Sequence, residues 1–161
     1  MSAAEPQGGR PLLLVCSCGG HLMQLTALRS AWEGYPRVWV TFDKPDSRSL
    51  LAGERVVHAH GPTNRNLPNF ARNLRLARRV VRDLRPAAML STGAGIAVPF
   101  AWMARAARVP VIYVESLTRI RELSLSGRLI APLAAEVFVQ WPELARARPG
   151  TRYAGTLLGA P

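Results

Sequence analysis

Short apolar runs alternate along the chain with segments of helical period. Leu12 to Val15 is an apolar run long enough for a strand and too short for a helix. Gly19 and Gly20 follow, and then Leu22, Leu25 and Leu28 mark a helix from about Leu22 to Trp32. Val38, Trp39, Val40 and Phe42 read as a second strand, with a short helix near Ser49 to Leu51. Arg55 to His60 reads as a third strand, closed by Gly61-Pro62. From about Pro68 to Leu84, Phe70, Leu74, Ala77, Val81 and Leu84 share one helix face, and Pro86 stops the helix. Ala87 to Thr92 is a fourth strand. A glycine turn at Gly93-Ala-Gly95 follows it, and then a helix from about Ile96 to Ala107. Pro110 to Val114 is a fifth strand ending at Glu115-Ser116, and a helix near Gly127 to Ala134 leads to a sixth strand at Glu136 to Trp141. Pro142 to Ala147 reads as one helical turn, and Tyr153 to Leu158 as a last extended piece.

Strands alternating with helices predict an α/β fold, a Rossmann-like parallel sheet with helices on both faces. The length of 161 residues fits a single domain over 11–161 behind a flexible tail at 1–10. With 21 basic residues against 10 acidic ones the net charge is +11, which suggests an anionic partner. Arg72, Arg75, Arg78, Arg79 and Arg82 fall opposite the apolar face of the long helix and form a stripe suited to anionic headgroups or a pyrophosphate. No nucleic-acid-binding signature accompanies the charge. Cys16 and Cys18 are expected on one side of a strand as free thiols of a reducing cytoplasm. The longest apolar region, Ile96 to Met103, is too short to span a bilayer.

Three strand ends carry the candidate chemistry: Ser17 to His21, Thr92 to Gly95, and Glu115-Ser116. In a parallel sheet all three open on one edge, where such folds bind ligands. Gly93-Ala-Gly95 with Glu115 twenty residues on is similar to part of a dinucleotide fingerprint, but Val98 stands where the third glycine belongs. A stand-alone nucleotide- or dinucleotide-binding module is therefore the alternative reading. His58 and His60 form an H-x-H pair on one strand face that lacks further metal ligands, so no metal is expected.

Taken in order, Ser17-Cys-Gly-Gly-His-Leu-Met-Gln-Leu25, Asn64-Arg-Asn66, Ser91-Thr-Gly-Ala-Gly-Ile-Ala-Val-Pro99, Glu115-Ser with Ser124 into Gly127-Arg-Leu, Val139-Gln-Trp141 and Gly155-Thr-Leu-Leu158 resemble a family. It comprises the small subunits of two-component glycosyltransferases. Among them are the anchoring partner of the eukaryotic UDP-GlcNAc transferase and bacterial exopolysaccharide proteins of the PssD and EpsE type. The resemblance implies the amino-terminal half of a GT-B glycosyltransferase, handling the acceptor and recruiting a separate donor-binding chain without which it is inactive. It further implies a UDP-sugar as co-substrate with no cofactor, GlcNAc slightly favoured, and a lipid-linked acceptor in cell-surface polysaccharide synthesis. The eukaryotic members carry an amino-terminal membrane helix, and no counterpart of it is expected in this chain. The expected setting is thus peripheral, at the cytoplasmic face of a bacterial plasma membrane. His21 and Glu115 are competing candidates for the catalytic base; imidazole titrates near neutrality, which suits His21. Ser17, Gly19, Gly20, Asn64, Arg65, Thr92, Gly93, Gly95 and Ser116 are the expected substrate contacts. Trp141, Gly155, Leu157 and Leu158 are expected to face the partner chain.

Overall fold

The computed structural model describes residues 9–157. Seven parallel strands lie in the order β3-β2-β1-β4-β5-β6-β7. They are β1 (Leu12–Cys16), β2 (Arg37–Thr41), β3 (Val56–His58), β4 (Ala88–Gly93), β5 (Val111–Val114), β6 (Glu136–Val139) and β7 (Arg152–Tyr153). The helices between them are α1 (Gly20–Ala27), α2 (Arg29–Trp32), α3 (Pro45–Leu50), α4 (Leu67–Leu84), α5 (Ala97–Ala106), α6 (Leu125–Ile130) and α7 (Pro142–Ala147). From β1 the chain winds outward to β2 and β3, then crosses back to β4 and winds the other way. The seam between β1 and β4 is the topological switch point, and ligands of open parallel sheets bind outside the carboxyl ends of the strands there.

Alternation along each strand divides the core. Leu13, Val15, Val38, Val40, Met89, Val111 and Val137 face α4, α5 and α6. Leu14, Trp39, Leu90 and Val114 face the other side, with Leu22, Leu25 and Trp32 of α1 and α2. On that second side the helices cover β1 to β3. Over β4 to β6 an apolar groove of about 570 Å³ stays open, lined by Leu12, Leu28, Leu90, Ile112 and Phe138.

Several expectations shift. The first helix is two helices, because the carbonyl of Leu25 turns to accept the Trp32 indole N–H (2.9 Å) and the chain kinks at Leu28. The third helix starts earlier than read, at Pro45, where a fixed φ suits a first turn. The face that α4 buries is turned toward Asn69, Asn73, Leu76 and Val80; Phe70 and Leu74 flank it, and Phe70 meets Trp102 edge to face. Cys16 and Cys18 do not share a strand face. The pairing of β1 with β4 slips after Val15, β1 ends at Cys16, and the Cys18 thiol turns to the Phe42 carbonyl. Both thiols are free, and burial pushes that of Cys16 well up, leaving it inert. His60 lies beyond β3, so the histidine pair is not on one strand. Most of the expected tail, residues 1–8, falls outside the described residues, as does Leu158. Arg10 is docked, its guanidinium donating to the carbonyls of Arg85 and Pro86.

Candidate functional site

The cleft is built over the β1–β4 seam. His21 sits in the first turn of α1, which starts directly after the tight turn at Gly19 (φ +73°). Its Nδ1 lies 2.7 Å from the carbonyl oxygen of Thr92, and the Thr92 hydroxyl donates back to the His21 carbonyl at 2.7 Å. A carbonyl only accepts, so Nδ1 carries the proton and neutral His21 presents a bare Nε2. The ring lies against Gly93 (φ +106°): a Cβ there would come within 3.4 Å of His21 Cε1 and 2.9 Å of the Tyr113 hydroxyl. Glycine is needed here for its φ and for the close approach on both sides. The Gly93 N–H is satisfied by the buried Ser91 hydroxyl.

The second wall is the segment from His60 to Asn66. Thr63 rests on Gly95, with its Oγ1 3.2 Å from where a Cβ would stand. Two buried asparagines of α4 fix this segment. Asn73 accepts from the His60 N–H and donates to the His60 carbonyl, both at 2.8 Å, and Asn69 donates to the Pro62 carbonyl. Asn66 caps α4 through the Asn69 N–H. Asn64 and Arg65 (φ +47°) are left exposed at the rim.

The third wall is the loop from Ser116 to Ser124. Gln24, one turn of α1 after His21, accepts from the Leu117 N–H (3.1 Å), and the Trp141 indole donates to the Leu117 carbonyl (2.7 Å). The structure therefore brings His21, Thr92, Gly93 and Gly95 together, with the Thr63-to-Arg65 segment beside them.

Other expected site residues stand elsewhere. Glu115 is completely buried and its carboxylate is engaged by its own loop, which removes it from the role of an open base. The Gly19 N–H is occupied by the Asp46 carboxylate (2.7 Å) and is not open to a diphosphate. The Ser17 hydroxyl turns to the Cys18 carbonyl, and that of Ser116 to Thr118. Trp141 spends its N–H inside the chain, so that edge of it does not face a partner. Gly155 and Leu157 lie away from the cleft, on the apolar groove of the sheet face. The dinucleotide reading fails on the same geometry, since Thr63 covers Gly95 and the acid twenty residues on is buried. Asp46, Asn69, Asn73 and Tyr113 were not marked by sequence reasoning, and Ser124 only as part of the motif that carries the family resemblance. Of the first four, only Asn69 and Asn73 carried a signal, as amides beside the apolar face of a long helix.

Comparison with known proteins now bears on this site. Residues 67–157 match the family described as "Oligosaccharide biosynthesis protein Alg14 like". The chain belongs to the Alg14-like family. Two relatives named UDP-N-acetylglucosamine transferase subunit ALG14 align with nearly the whole chain. The one from Debaryomyces hansenii is 25% identical over 180 aligned positions, covering 93% of this chain and 77% of that protein. The one from Mus musculus is 24% identical, covering 95% and 85%. A namesake from Eremothecium gossypii is 53% identical over 51 residues, which are 32% of this chain and 23% of that protein. Among solved structures, Acinetobacter baumannii MurG has the same fold, with a TM-score of 0.73 at 17% identity, over 92% of this chain and 46% of the MurG chain. The Alg14-like chain thus spans about half the length of the solved chain it resembles.

Proposed function

We propose that this Alg14-like chain is the acceptor-binding and scaffold subunit of a two-chain glycosyltransferase. It moves a sugar, GlcNAc first among candidates, from a UDP-sugar to a lipid-linked acceptor in cell-surface polysaccharide synthesis. The observation that carries the reading is the fixed tautomer of His21 at the switch point, in a chain of this family. The acceptor hydroxyl oxygen attacks the anomeric carbon of the donor. The anomeric C–O bond to the diphosphate breaks, UDP leaves with the electron pair, and His21 Nε2 takes the hydroxyl proton. Asn64 and Arg65 at the rim are suited to the acceptor diphosphate. A separate donor-binding chain supplies the facing wall, and the open sheet-face groove with Gly155 and Leu157 is its seat.

The bilayer contact falls to the arginine stripe of α4. Arg78 and Arg82 of that stripe, with Arg10 and Arg85, rim a depression of about 640 Å³ floored by Val81, Met103 and Val109, which suits an anionic lipid headgroup. No helix among the described residues is long and apolar enough to cross a membrane. The decisive experiment is a transfer assay with UDP-GlcNAc, a lipid-linked acceptor and the partner chain. His21→Ala is expected to lower kcat by about 10²–10⁴-fold. Full activity in that variant overturns the role of His21, and robust transfer by this chain alone overturns the two-chain reading.

A further inference from the structure

Glu115 carries a carboxylate with no exposure, at the edge of a cleft where an exposed one would be a natural base. One oxygen accepts from the Ser116 N–H (2.8 Å) and the Tyr113 hydroxyl (3.3 Å). The other accepts from the Ser124 N–H (2.8 Å) and the Ser124 hydroxyl (3.0 Å). Both oxygens are thus saturated by donors of the chain itself. Gly127 makes room for this arrangement, because a Cβ there would collide with the Glu115 Oε2. The Gly127 N–H in turn holds the Ser124 hydroxyl (3.0 Å).

The four donors sit in two places that matter for the cleft. Ser116 and Ser124 are the two ends of the third wall, so a single carboxylate closes that loop at its base. Between them Leu117 is gripped by Gln24 of α1. Tyr113 reaches the other way: its hydroxyl and the His21 ring both abut Gly93. Burial, reinforced by the neighbouring carboxylate, raises the Tyr113 hydroxyl's pKa, which keeps it a donor.

We propose that Glu115 is a positioning residue that fixes both the 116–124 loop and the Tyr113–Gly93 support of His21, and that it takes no proton from the acceptor. The kinetic part rests on the transferase reading above; the structural part does not. Glu115→Gln is not silent in such a site, because its amide must turn an N–H toward one of the backbone donors of Ser116 or Ser124. Ser124→Ala removes a donor and leaves the carboxylate intact, which separates the two roles. Amide hydrogen exchange of the full chain, together with transfer assays in the presence of the partner, tests the proposal. Glu115→Gln is expected to speed exchange at Leu117 and Ser124 by about tenfold or more. It is also expected to lower transfer by at least about tenfold while the acid limb of the pH–rate profile persists. Ser124→Ala is expected to do the same in smaller measure. Unchanged exchange in both variants overturns the proposal. So does loss of transfer and of the acid limb in Glu115→Gln while Ser124→Ala keeps the wild-type rate. Should Glu115→Gln not fold, exchange in Ser124→Ala decides alone. A wild-type pair that transfers nothing overturns the transferase reading and leaves the exchange result to judge Glu115.

Discussion

At the scale of single residues, several polar atoms of the cleft are paired with partners that fix their chemistry. The Thr92 carbonyl selects the tautomer of His21, and the Asp46 carboxylate closes the Gly19 turn. That second contact has a pH consequence. The Gly19 N–H holds the Asp46 carboxyl below its ordinary value. A depressed folded-state pKa adds stability that is present above the unfolded value of about 3.9 and lost as pH falls through the folded one. Asp46→Asn is therefore expected to lower stability near neutrality and to let the two stability curves converge as pH falls below about 4. Thermal unfolding across pH 2–7 checks it, and parallel curves for the two proteins would refute it. Glu115 shows what residue type alone conceals. A carboxylate at a strand end reads as a base until its burial and its donors are known, and no spacing in the sequence reports those.

At the scale of elements, the strands and the helix order were legible because their apolar runs are short, uniform and punctuated by Gly and Pro. The face of α4 was less legible. Periodicity weighs Phe70 and Leu74 as core and Asn69 and Asn73 as neutral, whereas the structure buries the two amides to hold the His60–Asn66 segment. A buried amide bonded to main chain is worth as much to a fold as a methyl group, but it leaves no mark on a hydrophobic pattern. Asn73→Leu is the sharp test, since it raises helix propensity and apolarity together. It is expected to destabilise the chain by about 1–3 kcal/mol through loss of both His60 contacts. Urea unfolding measures this, and a more stable variant would refute the role of Asn73.

At the scale of the whole molecule, the direction of winding explains what is covered and what is not. Helices that follow β1 and β2 lie on one side, and those that follow β3, β4 and β5 lie on the other. Half of one sheet face is thereby left apolar and open, a consequence of topology that follows once the strand order is known. Leu28→Arg places a charge in this groove. It is expected to reduce recovery of the donor-binding chain in co-purification by about tenfold or more, with the circular dichroism spectrum unchanged. Recovery at the wild-type level would move the docking site elsewhere. On the opposite flank, Arg78→Glu with Arg82→Glu is expected to weaken binding to phosphatidylglycerol vesicles, at about 1 kcal/mol per basic residue removed. Sedimentation at low salt measures it, and undiminished binding would exclude the stripe.

The arginine stripe also sets a direction of travel. Arg72 to Arg82 run ten residues along α4, about 15 Å, on a helix that lies lengthwise beside the sheet and does not stand on its tip. A flat surface that meets all five guanidinium groups must lie along that axis. The His60–Asn66 segment, which leads into the amino-terminal end of α4, then lies at one end of that contact. On the proposed membrane contact, a lipid-anchored substrate would arrive by sliding in two dimensions, its supply set by its density in the plane and not by its concentration in bulk water.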